Sequence, residues 1–150
     1  MCLPGHSIVF MSMQTETFQS LVYGLVQAAH NTGAVLLFGG YIASLLQKSS
    51  DHRGVVLWFV LSGWFIQGIS GISFGIASLS LYGKFPDIGQ VGTVMLLTKI
   101  ICVGAGFLLT VFFAFRGKTW KKFFTGLVWN FSFLLAWVAL IAAAFLRWFS

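Results

Sequence analysis

Four long apolar runs separated by short polar connections set the pattern of the chain: about Leu21 to Leu46, Val55 to Leu81, Val91 to Phe115 and Phe123 to Leu146. A run of about 20 apolar residues crosses the hydrocarbon core of a bilayer as a helix, because only a helix satisfies its own backbone hydrogen bonds there. The connections are QKSSDHRG (47–54), YGKFPDIGQ (82–90) and RGKTWKK (116–122). Ser50 or Asp51 can cap the second helix, Gly83, Pro86 and Gly89 break the chain between the second and third, and Trp120 suits the aromatic belt at the interface. His52 reads as a solvated residue of that first connection. The pattern predicts an all-α fold, an integral membrane four-helix transmembrane bundle. Residues 1–20 are expected to be an N-terminal leader and 21–150 a single domain, since no connection is long enough to divide it and no repeat is evident. The leader opens MCLPGHSIVFMSMQ, without the basic residues of a signal peptide, and is expected to be a frayed tail ahead of a first span that stays in place.

Composition removes the soluble alternatives. The chain is 58% hydrophobic and 8% charged, with a mean hydropathy of +0.91, outside the range of soluble domains. Its 9 Lys+Arg against 3 Asp+Glu would favour nucleic acid in a soluble protein. Here the basic residues sit mostly in the connections, so they act as topology signals and no nucleic-acid partner is expected. Lys48, Arg53, Arg116, Lys118, Lys121 and Lys122 lie in the first and third connections, whereas Lys84 and Arg147 lie on the other side. The positive-inside rule puts the first and third connections in the cytoplasm and both termini outside, the periplasm for a bacterial inner membrane. With 17 Phe and 6 Trp, bulky faces are left for lipid and for partner helices, either other membrane subunits or a second copy in a homodimer.

Against this apolar background, His30 and Lys99 are the ionisable groups inside spans, and such groups mark functional sites. Helical spacing puts Tyr23, Gln27, Ala34 and Leu37 on the His30 face, with Gly33 and Gly40 on its flank. That face can hold a flat ligand beside the imidazole or bring a second helix close. Lys99 stands about 12 Å into its helix, a strained distance for snorkelling, and shares its face with Gly92, Met95, Cys102 and Gly106. The first and third helices run the same way, so His30 and Lys99 lie at one level. His52 is about 33 Å along a helix from His30, which prevents both histidines from ligating one group. Gln67 is the single amide of the second span, and the Gly71/Gly75 pair there predicts close packing on a neighbour. No Ser-His-Asp set, phosphate loop or intramembrane carboxylate pair is present. A neutral imidazole beside small residues suits haem b, for which His is a common axial ligand. Lys99 is then a second ligand or a partner for a propionate, and Met95 is a further ligand candidate. The alternative is a structural role, His30 bonding a neighbouring helix and Lys99 reaching headgroups.

HNTGAVLLFGG (30–40) resembles the first-helix signature of the copper-resistance D superfamily, and LLTKIICVGAGFLL (96–109) resembles its Lys-containing helix. The J-type bacterial membrane protoporphyrinogen oxidase is similar in plan. The resemblance implies a small helical bundle in which His30 and Lys99 take part in haem b binding. Leu37 stands where that signature carries Trp, and Tyr41-Ile42-Ala43 stands where the J-type oxidase carries Pro-Arg-Leu. The reading adopted is a small membrane protein that binds haem b or serves as a subunit of a membrane redox complex, with cofactor-binding residues His30, Lys99, Met95, Gln27 and Gly33. Two alternatives are a cofactor-free structural or assembly subunit and a porphyrinogen oxidase-like enzyme.

Overall fold

The computed structural model describes residues 5–46, 53–83, 88–116 and 122–148, with side chains from Glu16 onward apart from those of Arg53 and Lys122. The readings made above for Lys48, Ser50, Asp51, His52, Lys84, Pro86, Lys118, Trp120 and Lys121 lie outside the described residues. Four helices follow one another: α1 Gly5–Leu46, α2 Arg53–Tyr82, α3 Gln90–Arg116 and α4 Lys122–Trp148. The portions Glu16–Leu46, Gly54–Tyr82, Gln90–Arg116 and Phe123–Trp148 are long and apolar enough to cross a membrane. The chain is an all-α, integral membrane four-helix bundle. The expected ends of α2 to α4 agree within a residue or two, but α1 starts much earlier than Leu21. From Gly5 the leader is continuous with the first helix, where a frayed tail is expected. Its residues include no helix breaker after Gly5, so nothing local stops the helix from extending past the apolar run.

Contacts between helices fix an antiparallel order. Leu37 of α1 meets Gly63 of α2, and Gly106 of α3 meets Trp64 of α2. Thr110 of α3 faces Ser132 of α4 at 3.4 Å, while Gly92 of α3 lies beside Leu146 of α4. α1 packs most extensively on α2 and α3 on α4; α2 meets α3 over less, and α1 meets α4 least. The first and third helices therefore run the same way, diagonally across the bundle. α2 ends at Gly83, whose φ of +66° is a left-handed conformation open to glycine, and its N–H donates back to the Leu79 carbonyl at 3.0 Å.

The best-packed layer lies toward the C-terminal end of α1, around Leu37, Tyr41, Val60, Trp64 and Ala136. Trp64 and Val60 are fully buried. Glycines make this possible by letting backbones approach. A Cβ at Gly63 would come within 2.7 Å of the Leu37 backbone, one at Gly40 within 2.7 Å of Val60 Cγ2, and one at Gly106 would overlap the Trp64 ring. Lipid is as apolar as Leu, so this contact gains from van der Waals fit and hydrogen bonds. The expectation that Gly71 packs closely on a neighbour is not met: Gly71 is exposed, with nothing within 4 Å of where its Cβ would be. Gly63, placed opposite Leu37, takes that role.

A four-helix polar network crosses the same layer. Tyr41 of α1 hydrogen-bonds Ser132 of α4, and Trp64 Nε1 of α2 donates to the Tyr41 hydroxyl at 3.2 Å. Thr110 of α3 donates to the Gly106 carbonyl at 2.8 Å and faces Ser132. Trp129 Nε1 adds a bond to Ser44, and rings of Phe38, Tyr41, Phe133 and Trp137 stack between α1 and α4.

Candidate functional site

His30 and Lys99 meet. Lys99 Nζ lies 3.0 Å from His30 Nε2, so the depth argument made from helix direction places them correctly. On the other side of the ring, His30 Nδ1 is 2.7 Å from Ser70 Oγ of α2, and Ser70 Oγ–H donates to the Ile66 carbonyl at 2.6 Å. With its hydrogen committed to Ile66, Ser70 accepts from Nδ1–H; the neutral ring then presents the Nε2 lone pair to Lys99, which donates. Two cations at that separation would repel strongly, so the pair holds one positive charge at most. A hydrogen-bonded chain runs from α3 through α1 to α2.

Several neighbours hold this chain in place. Gln67 Nε2 donates to the His30 carbonyl at 2.8 Å, so the single amide of α2 bonds to a neighbouring helix. Phe74 presents its ring edge-on to His30 at 6.0 Å between centroids and also stacks on Tyr23. Gln67 and Ser70 are buried, whereas His30, Lys99 and Met95 are half-buried. Met95 lies one turn from Lys99 on α3.

Two of the expected site residues act differently. Gln27 points outward, exposed, with its Nε2 donating to Asn31 Oδ1 at 2.9 Å. Its position on the edge of the His30 stripe lets the longer amide turn away. Gly33 is buried, but not to clear space for a ligand: a Cβ there would come within 2.9 Å of Ile66 Cγ2. Of the two readings left open for this flank, helix contact is the one realised. The alternative in which His30 bonds a neighbouring helix is realised through Ser70, a serine among the small residues of α2 that the sequence did not single out for this, whereas Lys99 turns to His30 and not to headgroups.

Gly71 has heptad spacing from Trp64 and from Ser78, both buried, which puts it on the inward face of α2. It is nevertheless exposed, with open space around it. On α4 the level between the Thr110–Ser132 and Gly92–Leu146 contacts is marked by Ala139 and Ala142, buried and small. The close packing around Tyr41 does not extend to Gly71, which is exposed with nothing within 4 Å of where its Cβ would be.

A haem at this site would find a compatible donor set. His30 has Nδ1–H anchored to an oxygen, as a metal-bound imidazole usually does, while its Nε2 lone pair is taken by Lys99. Lys99 would serve such a group as a second ligand or as the partner of a propionate. Because Lys99 Nζ sits 3.0 Å from Nε2 on its lone-pair side, Lys99 would have to move aside for His30 to hold a metal. Among the described residues no group of three or more His, Cys, Asp or Glu could hold a separate metal ion. No family model, curated protein or solved structure matches this chain.

Proposed function

We propose that the protein is an integral membrane subunit of a redox complex that holds haem b at the His30–Lys99 pair. The observation that carries this reading is the 3.0 Å approach of Lys99 Nζ to His30 Nε2 across the bundle. A lysine inside a bilayer is costly and persists where its charge has work to do. When bound, haem supplies one-electron chemistry at its iron. The residues of this chain orient the imidazole through Ser70, keep Nε2 unprotonated and place the Lys99 amine beside it.

The subunit part of the reading is supported by α1's outer surface. Gln27 and Asn31 hydrogen-bond to each other while exposed at a membrane-spanning level. Their remaining N–H and C=O groups have no water to turn to in lipid, and a partner helix satisfies them. The orientation proposed places the first and third connections in the cytoplasm, from the basic-residue count.

The test is an absorption spectrum of the purified protein, oxidised and dithionite-reduced. The expected result is a Soret band that His30→Ala abolishes while the protein still inserts, and that Lys99→Leu shifts or weakens. A protein purified from its native membrane with all its partners and lacking haem would leave the cofactor-free subunit reading in its place.

A further inference from the structure

We infer that the outward face of α4 is the contact by which two copies of this chain pair side by side in the bilayer, with Asn130 of one copy bonded to Asn130 of the other. Asn130 stands about 10 Å past Phe123, where the span begins, at 1.5 Å per residue. It is exposed, and its side chain makes no hydrogen bond among the described residues. The helix cannot turn to bring the amide inside. Trp129 is bonded to Ser44 and Ser132 to Tyr41, so inward bonds on either side of position 130 fix the rotation of α4, and Ser132 lies about 200° around the helix from Asn130. The side chain is too short to reach the interface, and lipid tails offer it neither donor nor acceptor. Its amide forfeits its hydrogen bonds unless another helix supplies them.

A second copy is the occupant that fits. Copies of one chain insert with one orientation, because the same basic residues orient each of them. A pair related by an axis along the membrane normal therefore brings position 130 against position 130 at equal depth. An amide carries both donors and an acceptor, so two of them face to face satisfy each other through two reciprocal bonds. A different subunit would need a polar group of its own at that depth. The rest of the face is an apolar seam: Phe123 and Trp137 stand one heptad to either side of Asn130, with Leu127, Leu134 and Ile141 on the alternating positions, and these five are exposed. A single amide in such a seam fixes the register and the number of helices that pack on it. A face that met only lipid would have no use for one. The α1 face is a separate surface, where Gln27 already bonds Asn31, and pairing through α4 does not depend on haem at His30.

The full chain in liposomes, as a mixture of donor- and acceptor-labelled copies read by energy transfer at increasing lipid dilution, tests the pairing. The wild type should pair, and dilution should separate it. Asn130→Leu removes no bond within the chain, so it should keep the helical circular dichroism signal and weaken pairing about tenfold, the effect of two modest interhelical bonds. Asn130→Gln should retain most of the pairing. In a Cys2→Ser/Cys102→Ala background, Leu134→Cys should be oxidised to a disulfide with its own copy in the native membrane at least tenfold faster than Ile100→Cys, on the exposed face of α3. That contrast keeps Asn130 intact, so it decides the matter even if Asn130→Leu fails to fold. A chain that stays monomeric at every dilution, pairing indifferent to a folded Asn130→Leu, or cross-linking of Ile100→Cys as fast as that of Leu134→Cys would overturn the proposal. So would cross-linking of Leu134→Cys to a different protein and not to its own copy.

Discussion

At the scale of single residues, the chain places polarity where the apolar setting makes it costly and then answers each group. His30 is bonded on both ring nitrogens, and Gln67 reaches back to the His30 carbonyl. Glycine is used with equal economy. Gly106 accommodates the Trp64 indole so closely that any Cβ overlaps the ring, and Trp64 is fully buried with its N–H committed to Tyr41. Neither partner can yield cheaply. Gly106→Ala should therefore destabilise the protein by about 1–3 kcal/mol, the range for overpacking a well-filled interior. Gly104→Ala, where the Cβ meets nothing, should be near neutral. Reversible unfolding in mixed micelles checks the contrast. His30 and Lys99 were legible in the sequence because an ionisable group stands out in an apolar run and because helix direction fixes depth. Ser70 and Tyr41 were not, since a hydroxyl is an unremarkable neighbour in a Gly- and Ser-rich span until its rotation about the helix is known.

At the scale of elements, each helix contributes one member to the Tyr41, Trp64, Thr110 and Ser132 network. Hydrogen bonds between membrane helices average about 0.6 kcal/mol and reach about 1.7 kcal/mol, because the separated helices find other partners in the bilayer. Tyr41→Phe and Ser132→Ala should each cost on that order. The double variant should cost less than the sum, since both remove the same contact; strict additivity would show the bond to be energetically silent. The spans themselves were legible from run length alone. The extension of α1 back to Gly5 was not, because the leader lacks the apolar density that marked the rest, and helix continuity needs only the absence of a breaker. Likewise Gly71 and Gly75 suggested close packing by spacing, a pattern that says which residues share a face but not whether anything stands opposite.

At the scale of the whole molecule, the proposed insertion is set by the uneven distribution of basic residues. Lys118→Cys and Lys84→Cys should be labelled by a membrane-impermeant maleimide from opposite sides, the former only after the cytoplasmic face is opened. Labelling of both from one side would reject the arrangement. The pairing of His30 with Lys99 survives either orientation, since it depends on α1 and α3 being parallel and not on which face they start from.

The uneven packing among the helices carries a consequence for how the protein comes into being. α1 with α2, and α3 with α4, form hairpins whose internal contacts exceed those between them. Each hairpin can leave the translocation machinery as a finished piece, and the second then docks sideways on the first within the bilayer. The His30–Lys99 pair, with one member from each hairpin, is created by that docking and not by either insertion. Until the halves meet, the cell holds two membrane-inserted pieces and no centre, and on the function proposed above a cofactor would have its site only once the protein is whole.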